Sequence, residues 1–364
     1  MPVRRIVFAG DVLHPEGDPA GPWLRRLFGA QVAGATGIGI EVASFDTAGA
    51  YACWEAERSW DGWAAIADAG VAPAQALALF EAAFADALVL GFGLPPVAKR
   101  VLSHVGLPFI DLAVHPLRFL EDLSFAAQTN DPGVFAGLLP HHAEGSRFRA
   151  AAGLVAAAAP WAEPASAVLL VGQQARDPAL LHRGRFADFA DFPRAVRGAA
   201  GALDGAAFRP HPAEPGDFGL VAAGVPITAL RLTRADFYGL MASGEVTRIV
   251  GLSSPVLTEA SYFGCAAERL LDDPFDLADL AAEAEPGQHL SLVDGFWVAD
   301  FWRDVLSPLM PVTRADGQRW RPPPNALRAA VGRLRGPGEP APAPWSGSGR
   351  TSEAFRDDPA EAQA

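Results

Sequence analysis

Residues 167–177 read AVLLVGQQARD and contain a clear example of a buried strand with a polar end. The aliphatic run Ala167–Val171 has the length and composition of a strand in a sheet that is covered on both faces. Gly172 then lets the backbone approach a ligand closely, and the amides around Gln173 could read a nucleotide base or ribose. A plain connection from strand to helix is the alternative. We expect a second α/β unit of the chain to begin with this strand.

Short β-branched or aliphatic runs alternate with longer Ala- and Leu-rich segments on both sides of this stretch. Such alternation is typical of a parallel sheet covered by helices, and it predicts an α/β fold with two Rossmann-like domains. The predicted strands are Arg5–Phe8, Ile38–Ser44, Ala87–Leu90 and Pro108–Val114 in the first half and Ala167–Val171, Ala207–Arg209, Ile227–Leu230 and Arg248–Gly251 in the second, with a helix at Pro73–Phe84.

The length of 364 residues fits two domains of about 150 residues each better than one core. The alternation pauses around Trp161–Pro164, just before the second series of strands. From Gly336 onward Pro, Gly, Ser and charged residues dominate, and few side chains there could be buried. We therefore expect a first domain at residues 1–160, a second at 161–335 and a disordered tail at 336–364.

The composition excludes several classes of protein. A net charge of -13, with no concentrated basic surface, argues against binding to nucleic acid. The two cysteines, Cys53 and Cys265, suggest neither a disulfide framework nor a zinc site, which favours the reducing cytoplasm. The first apolar run breaks at Gly10-Asp11, before the length of a signal peptide or membrane span, and predicts a first strand.

Residues 250–260 read VGLSSPVLTEA, which predicts a strand, a serine pair and then a helix. Ser254 followed by Pro255 is a favoured start for a helix. Free amides, the positive end of the helix dipole and the hydroxyls of Ser253 and Ser254 would then meet at the end of a strand, an arrangement that suits a phosphate. An ordinary serine-capped helix is the alternative.

Residues 208–212 read FRPHP and place a guanidinium and an imidazole where a strand is expected to end. Arg209 supplies a fixed positive charge, and His211 can donate to a phosphate oxygen or protonate a leaving group. His-Pro also occurs at His14-Pro15 and His115-Pro116, so a loop turn is the alternative reading of this dipeptide.

The three segments occur in the order Gly-Gln, His-Pro, Ser-Ser, and this order resembles the capsule and lipopolysaccharide Kdo transferases and, more distantly, bacterial sialyltransferases. The resemblance covers about Ala167–Gly264. It implies a GT-B fold, with two Rossmann-like domains facing a central cleft, and an inverting, CMP-sugar-dependent glycosyltransferase. It also implies that His211, Ser253 and Ser254 contact the CMP phosphate and that Gln173 lies near the nucleotide. With Gly172 and Arg209 from the two segments above, the expected nucleotide-binding residues are Gly172, Gln173, Arg209, His211, Ser253 and Ser254.

Those transferases usually carry an acidic motif with Gly in the N-terminal domain that supplies the general base, and the sequence shows no convincing copy. The nearest stretch, FIDLAVHPLRFLED at residues 109–122, makes Asp111 the candidate base, with His211 as the second catalytic residue. A buried aspartate satisfied by backbone amides is the alternative for Asp111. His115 and Arg118 are weaker candidates for contact with the acceptor, and His115 is otherwise a turn residue.

A glycine-rich stretch and a group of aromatic residues are expected to have structural roles. GFGLPP at residues 91–96 lacks a correctly spaced third Gly, so NAD binding is not expected, and its glycines are expected to let an acceptor or the other domain approach. The aromatic group Phe296, Trp297, Phe301 and Trp302 is expected in the core. No D-x-D sequence occurs, which favours a metal-independent reaction without a cofactor.

The sequence therefore predicts a glycosyltransferase that transfers a CMP-activated keto-sugar acid such as CMP-Kdo to a glycan or glycolipid of the bacterial surface. It would act in the cytoplasm, and it could also associate peripherally with a polysaccharide assembly complex at the inner membrane. Two alternatives stay open: a GT-B transferase or epimerase that uses another nucleotide sugar, and an inactive glycosyltransferase-like scaffold in polysaccharide assembly or export.

Overall fold

The computed structural model describes residues 3–160, 162, 164, 166–201, 205–314 and 322–335. The predicted tail at 336–364 lies outside this range. The strands are β1 (Arg5–Ala9), β2 (Ile40–Val42), β3 (Ala87–Phe92), β4 (Phe109–Val114), β5 (Phe125–Thr129), β6 (Val168–Val171), β7 (Leu181–His182), β8 (Arg185–Phe186), β9 (Ala207–Arg209), β10 (Arg231–Leu232), β11 (Arg248–Gly251), β12 (Ala266–Arg269) and β13 (Leu290–Leu292).

The helices connect and cover these strands, as the alternation predicted. They are α1 (Ala20–Thr36), α2 (Thr47–Cys53), α3 (Trp60–Ala67), α4 (Ala74–Phe84), α5 (Pro96–His104), α6 (Pro132–Leu138), α7 (Gly145–Ala158), α8 (Pro193–Ala200), α9 (Phe237–Ala242), α10 (Pro255–Tyr262), α11 (Ala299–Leu306) and α12 (Ala326–Arg335). Among the described residues, none of them combines the length and apolar character that a bilayer crossing requires.

The first sheet has the order β13-β5-β4-β3-β1-β2 within the described chain. Strands β1 to β4 are parallel, β5 is antiparallel to β4, and β13 is antiparallel to β5. Because β1 is followed by β2 on one side and β3 lies on its other side, the strand order reverses between β1 and β3. Ligands of open α/β sheets bind outside the carboxyl ends of the strands at such a reversal.

The second sheet has the order β10-β9-β6-β11-β12, and its described strands are all parallel. Numbered from its own first strand, this is the order 3-2-1-4-5, which is that of a nucleotide-binding Rossmann fold. Its reversal lies between β6 and β11. A mixed α/β fold with two largely parallel sheets is thus confirmed, and β9 and β11 have the predicted bounds.

One predicted strand is wrong. Residues Ile227–Ala229 form a 3-10 turn after Pro226, and the strand β10 begins only at Arg231. The turn is closed by hydrogen bonds from the Ala229 and Leu230 amides to the carbonyls of Pro226 and Ile227. Proline fixes φ and favours a turn here, so the apolar composition of the segment was a misleading signal.

The first glycine of GFGLPP, Gly91, also has a different role from the one expected. Gly91 lies inside β3, and a Cβ there would lie 2.4 Å from the Leu94 side chain. The missing side chain therefore makes room for the chain's own turn after the strand. Gly93, with φ of +66°, makes that turn possible.

The chain returns to the first sheet after crossing to the second. Strand β13 pairs with β5, and α11 packs on α1 and α6. The aromatic group at 296–302 is buried in this core, as expected. The division into domains at residue 160 remains a prediction, and the elements from Leu290 onward lie on the first sheet.

The packing of the segment from Leu290 onward on the first sheet can be tested at Phe28 on α1. The Phe28 ring is fully buried among aromatic side chains from both ends of the chain. These neighbours are Phe125, Phe296, Trp297 and Trp302, with ring centroids 5.6 to 5.8 Å away. We expect Phe28→Ala to lower the free energy of unfolding by about 3–5 kcal/mol in urea denaturation. The exposed Leu154→Ala should stay within about 0.5 kcal/mol. A loss below about 1 kcal/mol for Phe28→Ala would contradict the packing.

Candidate functional site

Two of the predicted segments meet at the reversal point of the second sheet. Gln173 follows β6 and Ser253 follows β11, and the two strands are neighbours. The Gln173 amide nitrogen donates to Ser253 Oγ at 3.2 Å, and the Ser253 backbone amide donates to Gln173 Oε1 at 3.3 Å. Parallel neighbours bring their carboxyl ends together, which explains why residues 80 positions apart are in contact.

Further hydrogen bonds fix both side chains inside the protein. Gln173 also donates to Asp177 Oδ2 at 2.9 Å, and Ser253 Oγ donates to the Ala179 carbonyl at 2.6 Å. Gln173 and Ser253 are 3% and 2% exposed. With their polar atoms occupied in this way, they act as positioning residues for the segments beside them, rather than as the groups that project toward a ligand.

Ser254, the second member of the serine pair, is 8% exposed. It is the N-cap residue of α10, but its side chain makes no capping hydrogen bond to the helix. Pro255 follows and has no N–H, and the Leu257 amide donates to the Ser254 carbonyl at 3.0 Å. The Ser254 hydroxyl, the Val256 amide and the partial positive charge of the helix start are the groups that can receive an anion here, and we call Ser254 and the first turn of α10 the anion cradle.

Arg269, at the end of β12, is a cationic neighbour of the cradle that the sequence did not reveal. Its Nη1 lies 3.5 Å from the Ser253 carbonyl, and its Nη2 donates to Thr258 Oγ1 at 2.9 Å. It also pairs with Asp273 at 2.8 Å. Burial lowers the pKa of the guanidinium from its usual value, but it remains charged. Its position at the carboxyl end of a strand is the signal that could have found it.

The His-Pro segment follows β9, on the other side of β6. The Gly172 amide donates to the Arg209 carbonyl at 2.9 Å, and a Cβ on Gly172 would lie 3.2 Å from the His211 backbone nitrogen. Gly172 thus permits the close approach of the His211 backbone. His211 Nδ1 accepts from the Ala213 amide at 3.3 Å, which leaves the proton of a neutral ring on Nε2.

Arg209 points toward a different group of residues. Its Nε donates to the Ala235 carbonyl at 3.2 Å, and the charges near it are those of Asp236 and Glu259. Burial lowers the pKa of the Arg209 guanidinium. Its contribution to the cradle is therefore the backbone contact with Gly172, together with long-range positive charge.

Glu259 on α10 is a second residue that the sequence did not indicate as functional. It is 2% exposed, and its Oε1 accepts from the Arg118 backbone amide at 2.5 Å and from the Tyr238 hydroxyl at 3.0 Å. Burial raises the pKa of Glu259 to about 7, against the opposing effect of these hydrogen bonds. Since Arg118 follows the first sheet and α10 the second, this carboxyl joins the two halves beside the cradle.

Asp111, the predicted base, lies inside β4 and is 3% exposed. One of its oxygens accepts from the Leu94 amide at 2.9 Å, and the other pairs with Lys99 at 3.2 Å. Burial raises its pKa. These contacts support the alternative of a buried aspartate satisfied by its surroundings, which sequence could not distinguish because Lys99 arrives from α5.

His115 and Arg118 follow β4 at the boundary between the halves. The ring of His115 is 1% exposed, its Nδ1 accepts from the Leu117 amide at 3.1 Å, and its Nε2 lies 2.9 Å from Ser291 Oγ. Burial lowers its pKa to about 3, so the ring is neutral. These contacts support the alternative of a turn residue for His115, and Arg118 contributes its backbone amide to Glu259.

A surface pocket of about 740 Å³ lies between α5 and the segment that precedes β13. Lys99, Gln128 and His289 are among the residues that line it, and the predicted site residues are not. No group of three or more potential metal ligands occurs in the part of the chain that the structure describes.

Comparison with known proteins gives little further information. No family model matches the chain, and no curated protein matches it. A solved structure that is similar in part is Thermosulfurimonas dismutans KpsC, a beta Kdo 2,7 transferase, with a TM-score of 0.32 and 11% identity over 65% of this chain and 81% of that one. A TM-score of this size leaves the function of the chain to be inferred from its own site.

Glu259 gives a pH-dependent test of the contact between the halves. Its raised pKa means that the folded state holds the proton more tightly, so its contribution to stability is present at low pH and is lost as the pH rises from 4.5 through about 7. We expect Glu259→Gln to remove this loss, which is up to about 3 kcal/mol between pH 5 and 8 in urea unfolding.

The exposed Glu245→Gln is the matched control and should keep the wild-type pH dependence. An unchanged pH dependence in Glu259→Gln would mean that this carboxyl is ionised in the folded state throughout the range.

Proposed function

We propose that the chain is a glycosyltransferase that binds a nucleotide sugar at the carboxyl edge of its second sheet. The observation that supports this proposal is the contact between Gln173 and Ser253 at the reversal of a 3-2-1-4-5 sheet, with Ser254 and the start of α10 directly after it in the chain. Nucleotides bind at this point in folds with this strand order, with the phosphate at a helix start.

The donor that we propose is a CMP-activated keto-sugar acid such as CMP-Kdo. The cradle provides one helix start and one serine hydroxyl, which suits the single phosphate of a CMP-sugar. The order of the Gly-Gln, His-Pro and Ser-Ser segments supports the same donor. The acceptor would be a glycan or glycolipid of the bacterial surface, reached in the cytoplasm or through a polysaccharide assembly complex at the inner membrane.

In this proposal the protein acts by positioning the donor and stabilising the phosphate as it leaves. Ser254 Oγ, the Val256 amide and the Nε2 proton of His211 would donate to the phosphate oxygens. Arg269 would add fixed positive charge at the rim. Because the hydrogen bonds of Gln173 and Ser253 fix the strand ends beside these groups, little reorganisation accompanies the reaction.

A specific observation also favours an inactive scaffold as a second candidate. The predicted base Asp111 is 3% exposed, accepts from the Leu94 amide and pairs with Lys99, so an acceptor hydroxyl has little access to it. A scaffold would bind a nucleotide without releasing it from a donor. A transferase or epimerase that uses another nucleotide sugar would show a different nucleotide preference.

Thermal stabilisation by CMP, UDP, GDP and ADP tests the cradle and the nucleotide together. We expect CMP to stabilise the protein most, and Ser254→Ala to weaken CMP binding about tenfold through the loss of one charge-assisted hydrogen bond. Ser261→Ala, at an exposed position of the same helix, is the matched control and should bind CMP as the wild type does.

A preference for UDP or GDP would favour the other nucleotide-sugar enzymes. Equal binding of CMP by wild type and Ser254→Ala would contradict the cradle as the phosphate site.

His211→Ala separates binding from chemistry. We expect this variant to keep its fold and to lose about 100-fold or more in CMP release from CMP-Kdo, because a proton donor to the leaving phosphate is gone. CMP release can be followed by chromatography, with the exposed His104→Ala as the control. Near-normal turnover in His211→Ala would overturn the role of the His-Pro segment.

A further inference from the structure

The loop that follows β1 lies at the reversal point of the first sheet. Strand β1 ends at Ala9, Gly10 and Asp11 come next, and β3 and β2 flank β1 on its two sides. A residue here has the same topological position in the first sheet that Gln173 has in the second. This is where an open α/β sheet places a ligand group.

Asp11 is held in a defined orientation at this point. Its Oδ1 accepts from the Leu13 amide at 3.0 Å, and its Oδ2 accepts from Trp63 Nε1 at 2.6 Å. A carboxylate oxygen can accept more than one hydrogen bond, so each oxygen keeps capacity for a further donor. Asp11 is half-buried, whereas Asp111 is enclosed.

The backbone around Asp11 is equally constrained. Asp18 accepts from the Gly10 amide at 2.7 Å and from the Ala20 amide at 2.8 Å, which ties the loop to the start of α1. A Cβ on Gly10 would lie 2.2 Å from Asp18 Oδ1, so this close approach requires glycine. The hydrogen bonds of Asp18 thus fix the backbone that carries Asp11.

Trp63 connects Asp11 to the second half of the chain. Its indole stacks on Phe186 of β8, with ring centroids 5.7 Å apart and an angle of 2° between the planes. The Gly184 amide, in the same hairpin, donates to Asp68 Oδ2 at 2.6 Å. The hairpin β7-β8 belongs to the connection that leaves β6 through Gln173 and Asp177, so Trp63 links Asp11 to the connection that contains Gln173.

Two further rings belong to this region: His14 lies on the loop itself, and Trp60 packs on Trp63 with ring centroids 6.0 Å apart. His14 and Trp60 pack edge to face at 4.7 Å, and both are partly exposed. His14 Nδ1 accepts from the Glu16 amide at 3.2 Å, and burial lowers the pKa of the ring. A neutral His14 therefore carries its proton on Nε2, where it can donate to a hydroxyl oxygen.

We propose that Asp11 is the general base of this chain, and that the loop after β1, with His14 and Trp60, receives the sugar hydroxyl of the acceptor. This inference rests on the proposed function. Asp11 takes the hydroxyl proton as the oxygen forms its bond to the anomeric carbon of the donor. The bond from that carbon to the phosphate oxygen breaks, and its electron pair leaves with the nucleotide.

The ionisation of Asp11 suits this task near neutral pH. Burial raises its pKa to about 7, and the negative charge of Asp18 acts in the same direction, while the Leu13 and Trp63 donors oppose it. Tyr51 on α2 is a further titratable group whose pKa burial and the Asp11 charge raise, and its phenol donates to the Leu13 carbonyl at 2.9 Å. His14, on the same loop, has a pKa that burial lowers. A base with a pKa near the working pH combines sufficient basicity with sufficient ionised fraction.

The test uses CMP-Kdo as donor with water as the acceptor, and measures CMP release above the rate without protein from pH 5.5 to 8.5. We expect the wild-type rate to rise with pH and to level off above about 7. Asp11→Asn should lose about 100-fold in rate and its pH dependence, but should keep CMP stabilisation. Asp61→Asn, an exposed change on α3, is the matched control and should behave as the wild type does.

Several results would overturn the assignment of Asp11. The first is a rate of CMP release by Asp11→Asn within about threefold of the wild-type rate. The second is a greater loss of rate in Asp111→Asn than in Asp11→Asn. The third is a wild type that binds CMP but releases none from CMP-Kdo. If CMP fails to stabilise the wild type, the proposed function fails first and the base assignment with it.

A second measurement is independent of turnover. In ¹⁵N-labelled protein the Trp63 indole resonance, assigned by its absence in Trp63→Phe, should titrate near pH 7, because Nε1–H donates to the Asp11 carboxyl. The titration should vanish in Asp11→Asn. An indole shift that changes only below pH 5 would show a carboxylate ionised like an ordinary aspartate, and would overturn the proposal.

Discussion

The candidate site depends on the hydrogen bonds between Gln173 and Ser253, which join the ends of two neighbouring strands of the second sheet. A buried amide or hydroxyl without a partner is costly, and here each group supplies what the other needs. Asp177 and the Ala179 carbonyl complete the set. With these side chains fixed, the start of α10 and the Ser254 hydroxyl have one position relative to β6, which is the requirement for a site that recognises a phosphate by geometry.

The two halves meet through the segments that follow their strands. On one side Glu259 of α10 accepts from the Arg118 amide, and on the other Trp63 of α3 stacks on Phe186. Both contacts lie beside residues that we place in the reaction. A carboxyl with a pKa of about 7 is present on each side, at Asp11 and at Glu259, in both cases because burial disfavours the charge. The packing that joins the halves is therefore coupled to ionisation near neutral pH.

Much of this fold could be predicted from sequence, because aliphatic runs such as those of β9 and β11 are bounded by polar or Gly residues. The error at Ile227–Leu230 arose because apolar composition alone cannot separate a strand from a turn after Pro226. The meeting of Gln173 with Ser253 followed from strand order. Arg269 and Glu259 were missed because their contacts join distant segments, and the surroundings of Asp111 could not be predicted because Lys99 approaches it from α5. Asp11, directly after a predicted strand and Gly10, had a local signal that could have been used.

The most direct test of the central claim is a crystal structure of the protein with bound CMP. We predict density for the nucleotide at the carboxyl ends of β6 and β11, with phosphate oxygens about 3 Å from Ser254 Oγ and from His211 Nε2. Gln173 and Ser253 should keep their mutual hydrogen bonds in the complex. A nucleotide bound elsewhere, for instance in the pocket beside Lys99, or a phosphate that does not contact the start of α10, would contradict the claim.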